Sequence, residues 1–298
     1  MSSAPRASVV IPVLNGEDTL GDVLTGLAGQ ARVDGGFEVV VVDGGSTDRT
    51  AEIAEQGGAT LLVEPRRGPG AARDLGQRSA QGEILCFLDA DTFPTRRWVR
   101  EMVAAFDDPS VVLAGGKTVS FPPETGAQRY MAASGRIDSL EYINRPIFPF
   151  TPSRNMAVRR AVALETGWTR ECITGEDVDF CHRVLACYPG PIAYRERAVL
   201  MHRDRATDEG LRRQAWSYGE GTAHLYRRYP DEVDWSWRND LEVRGKLVGR
   251  ALRAGALSVG AALRILGRER AELARYHSLW SRAFWKGFYS FRRTGEYR

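Results

Sequence analysis

The chain is expected to be an α/β protein: a mostly parallel sheet flanked by helices, followed by a helical C-terminal extension. Three observations predict this. Runs rich in Val, Ile and Leu recur at residues 9–11, 38–42, 60–63, 84–88 and 111–114. They are continuous rather than alternating, as strands covered on both faces require, and helical patterns separate several of them. Beyond about residue 241 the pattern changes to long, basic, helix-like stretches.

In chain order, the first run is followed by Asn15 and then by Leu20, Val23, Leu24, Leu27 and Ala28, one apolar helical face at i, i+3, i+4, i+7, i+8. The second run ends at Asp43 and the fourth at Asp89-Ala90-Asp91. Trp98, Met102, Val103 and Phe106 then repeat the helical spacing. In open sheets of this kind ligands bind beyond the carboxyl ends of the strands, so Asn15, Asp43, Asp89 and Asp91 mark the expected site. Pro122, Pro123, Pro146, Pro149 and Pro152 punctuate residues 120–170, as in long loops that shape a pocket. Residues 174–186 read as a helix and 198–201 as a strand. The acidic, Trp-containing stretch 231–240 reads as a connection, and Arg212, Arg213, Trp216 and Tyr218 as part of an amphipathic helix.

Composition excludes several classes. With 43% hydrophobic and 27% charged residues over 298 positions, disorder is not the dominant state. Cys86, Cys172, Cys181 and Cys187 form no CxxC pair, and Cys86 lies within an apolar run, which predicts reduced thiols and a cytoplasmic protein. The start lacks the long apolar region and cleavage site of a signal peptide. The best apolar segment, residues 254–263, is too short to span a bilayer. Residues 241–298 carry 13 Lys/Arg against 4 Asp/Glu, so a total charge of +3 hides a basic end on an acidic body. Such an end suits an anionic surface, whereas strands without interleaved aromatic and basic residues argue against nucleic acid.

Two carboxylates at a strand end, Asp89 and Asp91, offer hard oxygen ligands for Mg²⁺ or Mn²⁺, ions that take one or two carboxylates together with diphosphate oxygens. Glu176 and Asp177 stand at the start of a helix whose buried face is Val178, Cys181, Val184 and Leu185. The helix dipole there favours ionised carboxylates.

Five segments in order make the resemblance specific: Val10-Ile-Pro-Val-Leu-Asn15-Gly-Glu17, Val41-Val-Asp43-Gly-Gly-Ser-Thr-Asp48, Arg67-Gly-Pro-Gly-Ala-Ala-Arg73-Asp-Leu-Gly76, Leu88-Asp89-Ala-Asp91 and Gly175-Glu176-Asp177-Val-Asp179. The chain resembles family 2 glycosyltransferases of the GT-A fold over about its first 230 residues. The resemblance implies a nucleotide-sugar-binding half over 1–118, an acceptor-binding half over 119–230 and a basic extension over 231–298. It implies that Pro12, Asn15, Glu17, Asp43, Arg67, Arg73 and Asp89 bind the donor, with Asp43 on the base. Asp91, with Asp89 and His202, would hold Mn²⁺ or Mg²⁺, Asp177 would act as base, and Glu176 would orient the sugar or acceptor. The donor implied is a UDP-sugar, with a GDP-sugar as alternative, and the transfer inverts the anomeric centre.

Asp74 departs from the family's usual Asn, replacing an amide donor by an acceptor, and is left outside the site. Ser46, Thr47 and Asp48 are expected to cap the next helix. Gln214-Ala-Trp216-Ser-Tyr218 lacks the Arg-Trp of processive synthases, so a single transfer per encounter is expected. A dehydrogenase is disfavoured because Gly68-Pro-Gly70 lacks the third glycine and does not follow the first strand. From another class, a non-catalytic nucleotide- or nucleic-acid-binding module would keep the fold and use the basic end, but the intact Asp43, Asp91, Glu176 and Asp177 favour an enzyme. A peripheral membrane contact through 241–298, reaching a lipid-linked acceptor, is expected from Val248, Leu252, Leu263 and Leu266 beside Lys246, Arg250, Arg253 and Arg264, and from the aromatics Trp280, Phe284, Trp285, Phe288 and Tyr289; the alternative is two ordinary helices packing these sides on the catalytic domain or a second subunit.

Overall fold

A computed structural model describes residues 4–66, 68–262 and 267–297. Arg67, Leu263, Arg264 and Leu266 lie outside the described residues. The strands are β1 (Ala7–Val13), β2 (Phe37–Asp43), β3 (Thr60–Val63), β4 (Ile84–Leu88), β5 (Thr92–Pro94), β6 (Leu113–Ser120), β7 (Asn155–Arg159) and β8 (Ile192–His202). The helices are α1 (Leu20–Ala28), α2 (Thr50–Gln56), α3 (Pro69–Ser79), α4 (Trp98–Val103), α5 (Gly126–Ala133), α6 (Leu140–Ile143), α7 (Arg160–Thr166), α8 (Glu176–Cys187), α9 (Asp208–Arg228), α10 (Trp237–Ala262) and α11 (Arg268–Thr294).

The strands form one sheet in the order β3-β2-β1-β4-β7-β6-β8-β5. The pairings β1–β2, β2–β3, β1–β4 and β6–β8 are parallel, whereas β7 runs antiparallel to β4 and β6, and β5 antiparallel to β8. The sheet is therefore mixed, with its all-parallel part at β3-β2-β1-β4. Because successive strand side chains face opposite ways, β1 divides between two cores. Val9 and Ile11 join Leu20, Leu24, Cys86, Leu88, Trp98 and Met102. Val10 joins Val42, Leu85, Phe87, Trp168, Phe180 and Val184 on the other face. Each fully buried Leu, Ile or Phe of this set contributes about 1.5–3 kcal/mol.

The chain divides into two units: Met1–Phe121 with Ile137–Arg203, and Pro122–Arg136 with Asp204–Arg298. The first holds the whole sheet. The second holds α5, α9, α10 and α11, so residue 230 falls inside it. Cys86, Cys172 and Cys181 are buried and Cys187 exposed, all four as free thiols; burial pushes the Cys86 thiol up to about 12.

Within the second unit α9 and α11 cross at glycines. A Cβ on Gly219 would lie 1.9 Å from the Phe284 carbonyl oxygen, and one on Gly287 2.1 Å from that of Trp216. The α11 aromatics fill the space beside this crossing: Trp280 and Phe288 are buried and Trp285, Phe284 and Tyr289 half-buried. Trp280 and Phe288 thus pack inside the unit, as the apolar side of an amphipathic helix ordinarily does. Gly287→Ala is expected to lower stability by about 1–3 kcal/mol, because backbone cannot move aside as a side-chain tip can. Gly255→Ala, where a Cβ meets nothing within 4 Å, is expected to be neutral or to stabilise by about 0.5–1 kcal/mol. Thermal melts of the two variants check this, and equal losses would refute the close crossing.

Candidate active site

Four strand ends and one helix start assemble the site. β1 leads into Asn15, whose φ of 51° is a left-handed conformation that asparagine tolerates better than most residues. The loops after β1 and β2 are then stitched together. Asn15 N–H donates to Ser46 Oγ (2.8 Å), Gly16 N–H to Thr50 Oγ1 (2.8 Å) and Glu17 N–H to Asp48 Oδ2 (3.1 Å). In return Thr47 N–H donates to Asn15 Oδ1 (2.9 Å) and Arg49 N–H to Glu17 Oε2 (3.2 Å). Ser46 and Thr47 therefore do not cap α2 but bind the β1 loop, whereas Asp48 Oδ1 accepts from the N–H of Thr50, the first residue of α2, at 3.0 Å. Asp43, buried at the end of β2, accepts on Oδ1 from Ser46 N–H at 2.9 Å. Pro12 pairs with Val42 in the β1–β2 register, within the strand rather than the loop.

Asp89 follows β4. Arg73, on α3 and 3% exposed, donates from Nη2 to Asp89 Oδ1 (2.8 Å) and from Nη1 to Glu176 Oε1 (2.6 Å). Its guanidinium carbon lies 5.3 Å from the centre of the Trp168 ring, which is stacked on Phe180 at 4.2 Å. Arg73 was expected on the donor; the structure places it between the strand-end carboxylate and the helix-start carboxylate. Glu176 is buried, and burial raises its carboxyl above the ordinary glutamate range while Arg73 opposes the shift. Asp177, the next residue, is half-buried and accepts from Ser153 N–H (3.2 Å) and Val178 N–H (2.9 Å). Burial raises it too, with Arg73 again the chief opposing influence.

Asp91 precedes β5, and the short β5–β8 pairing sets Thr92 opposite His202 and brings Arg203 N–H to the Asp91 carbonyl oxygen at 3.5 Å. Asp91 is partly exposed and His202 buried. No three His, Cys, Asp or Glu side chains among the described residues form a ready-made metal cage. The donor set at this edge nonetheless suits a hard cation that completes its shell with ligand oxygens: carboxylates at Asp89 and Asp91, with an imidazole on the strand paired beside them.

Two contributors escaped the sequence. Trp168, which backs Arg73, sits in the irregular stretch after α7, and its only signal was a large aromatic among Gly and Thr. Asp74 is 2% exposed and is ion-paired to Arg170, with Nε at 3.0 Å, and accepts from Gln77 Nε2 at 3.0 Å. An amide there could not pair with a guanidinium in this way, so the departure from Asn is matched by Arg170, which holds the Trp168 stretch on α3.

The mixed sheet, with acidic groups at its strand ends, has the architecture of the GT-A fold. The model of the family described as Glycosyl transferase family 2 matches residues 8–167, more than half of the 298. The chain belongs to that family and is a glycosyltransferase. It is 30% identical over 214 residues to the glycosyltransferase AglE of Haloferax volcanii, covering 63% of this chain and 68% of that one. It is also 30% identical over 238 residues to the pre-mycofactocin glycosyltransferase of Mycobacterium tuberculosis, covering 76% of this chain but only 48% of the relative. Among solved structures it is similar in fold to the mannosyltransferase PcManGT from Pyrobaculum calidifontis in complex with GDP-Man and Mn²⁺, with a TM-score of 0.67 and 19% identity over 99% of this chain and 89% of that one. It is likewise similar to S. aureus TarS 1-349 in complex with UDP, with a TM-score of 0.54 and 20% identity over 98% and 93% of the two chains.

Proposed function

We propose that the chain transfers a sugar from a nucleoside diphosphate donor to an acceptor hydroxyl in one displacement, with inversion and without processive extension. The observation that carries this is the double ion pair of Arg73, which gathers the strand-end Asp89 and the helix-start Glu176-Asp177 around one guanidinium. The Asn15, Glu17 and Asp43 loops receive the nucleotide, with the base at Asp43, and Pro12 supports them from β1. Asp89 contacts the donor, and Glu176 orients the sugar or acceptor. Asp177, made more basic by burial, takes the acceptor hydroxyl proton as the oxygen attacks the anomeric carbon opposite the departing diphosphate. Asp91, with Asp89 and His202, would hold Mn²⁺ or Mg²⁺, which when bound neutralises charge on the diphosphate.

A UDP-sugar is favoured over a GDP-sugar because the Asp43 and Asp89-Ala90-Asp91 pattern resembles that of the uridine-using members of the family. The acceptor favoured is lipid-linked, reached from the cytoplasmic face of a membrane by residues 241–298; no described helix is long and apolar enough to cross one. Thermal-shift titration with UDP- and GDP-sugars tests the donor, because a ligand that binds only the folded state raises its stability by mass action. The expected result is a shift with one donor class that grows with Mn²⁺. Asp91→Asn is expected to abolish the Mn²⁺-dependent part while leaving the unliganded melt unchanged. A wild-type shift indifferent to Mn²⁺ would remove the metal from the reaction.

A further inference from the structure

We infer that α10 docks flat on an anionic lipid surface through Leu241, Val248, Leu252 and Val259. This deepens the membrane contact proposed above by assigning it to one helix and one face. The four side chains are 56%, 60%, 70% and 60% exposed. At 3.6 residues per turn their spacings of seven, four and seven place them within an arc of about 40°. The opposite face is already used: Val243 and Ala254 are buried, and Arg250 Nη1 donates to Ser281 Oγ of α11 at 2.7 Å. On the outward side, a Cβ at Gly245, Gly249 or Gly255 would meet nothing within 4 Å. One face of α10 thus belongs to the second unit and the other is apolar and open.

Charge identifies the occupant. α10 carries Arg238, Arg244, Lys246, Arg250 and Arg253 against Asp240 and Glu242. Asp240 accepts from Trp235 Nε1 (2.8 Å) and Tyr289 OH (3.0 Å) and is ion-paired with Arg292, so it offers no free negative charge outward. Exposed Arg244 and Arg238 lie about 60° to either side of the apolar stripe, while Arg253 and Lys246, the latter ion-paired with Glu242 at 2.5 Å, lie further round the helix. Apolar side chains bordered by long cationic ones suit the boundary of anionic headgroups, where the stems lie along the acyl region and the charges reach the phosphates. A second copy meeting the same face about a two-fold axis would set these cations against one another, which favours lipid over self-association. The charges also exclude a spanning orientation, and no described helix meets the requirement for one.

The test is sedimentation of the full chain with neutral phosphatidylcholine vesicles and with vesicles containing a quarter phosphatidylglycerol, at low and high salt. Binding is expected only to the anionic vesicles, falling steeply with salt because the attraction is screened within about 8 Å at physiological ionic strength. Val248→Asp with Leu252→Asp is expected to lower partitioning by at least about tenfold, and Arg244→Gln with Arg253→Gln to lower it less. Val63→Asp, equally exposed on the edge strand β3, should change nothing. Donor hydrolysis in solution should be the same in all of these proteins, so a failure of the catalytic reading shows separately. Wild-type protein left in the supernatant, or undiminished pelleting of the double aspartate variant, overturns the proposal. So does a dimer in light scattering that the aspartates dissociate while vesicle binding persists.

Discussion

Asp177→Asn is expected to lower turnover by about 10²–10⁴-fold, the usual size of a general-base contribution, with donor affinity nearly unchanged. Asparagine keeps the size of the side chain, and its amide oxygen can still accept from Ser153 N–H or Val178 N–H, so the loss reports the missing base rather than a rearranged helix start. The pH profile separates base from bystander. Burial raises the Asp177 carboxyl above the ordinary aspartate range, so wild-type turnover should fall, as pH is lowered, already above that range. Below the raised value the group is protonated and cannot accept the acceptor's proton. The residual activity of the variant should lack that limb. Normal turnover by Asp177→Asn would remove the residue from the mechanism.

Arg73→Ala is expected to have the largest effect on the folded state. It leaves Glu176, whose side chain is 8% exposed, without its counter-ion, and breaking a buried pair by removing one partner costs about 3–5 kcal/mol. Burial already raises the Glu176 carboxyl and Arg73 is the chief influence against that rise, so the variant should bind a proton at Glu176 at a still higher pH. Activity should fall with it, because Asp177 experiences the same guanidinium. Arg73→Lys keeps a charge but not the fork that reaches two carboxylates at once, and is expected to recover stability more than turnover. Urea unfolding and initial rates on the two variants supply the comparison. An alanine variant as stable and active as the parent would show that the paired carboxylates do not depend on Arg73.

The parallel part of the fold was legible because strands buried on both faces write continuous apolar runs. Residues 60–63 and 84–88 coincide with β3 and β4, and the Leu20–Ala28 spacing is α1 itself. The antiparallel part was not. β7 is five residues long, follows a proline-rich stretch and takes its place between β4 and β6 through pairings far apart in sequence, about which local pattern is silent. The same divide runs through the site. Asn15, Asp43, Asp89 and Asp91 follow apolar runs, so strand geometry places them. The Arg73–Glu176 pair joins residues 103 positions apart, and no spacing rule reaches that far. In α11 periodicity identified the helix correctly but could not say which partner its aromatics met, since packing on a neighbouring helix and facing a bilayer produce the same stripe.

The hydrogen bonds that stitch the loops after β1 and β2 bear on how a donor is held. Ordering a loop residue costs about 1–2 kcal/mol of conformational entropy, a cost that a mobile pocket levies on every binding event. Here five reciprocal bonds among Asn15, Gly16, Glu17 and residues 46–50 settle that cost during folding. In the proposed reading the floor of the nucleotide pocket is preorganised, and the attraction between donor and protein goes into affinity and orientation rather than into gathering chain.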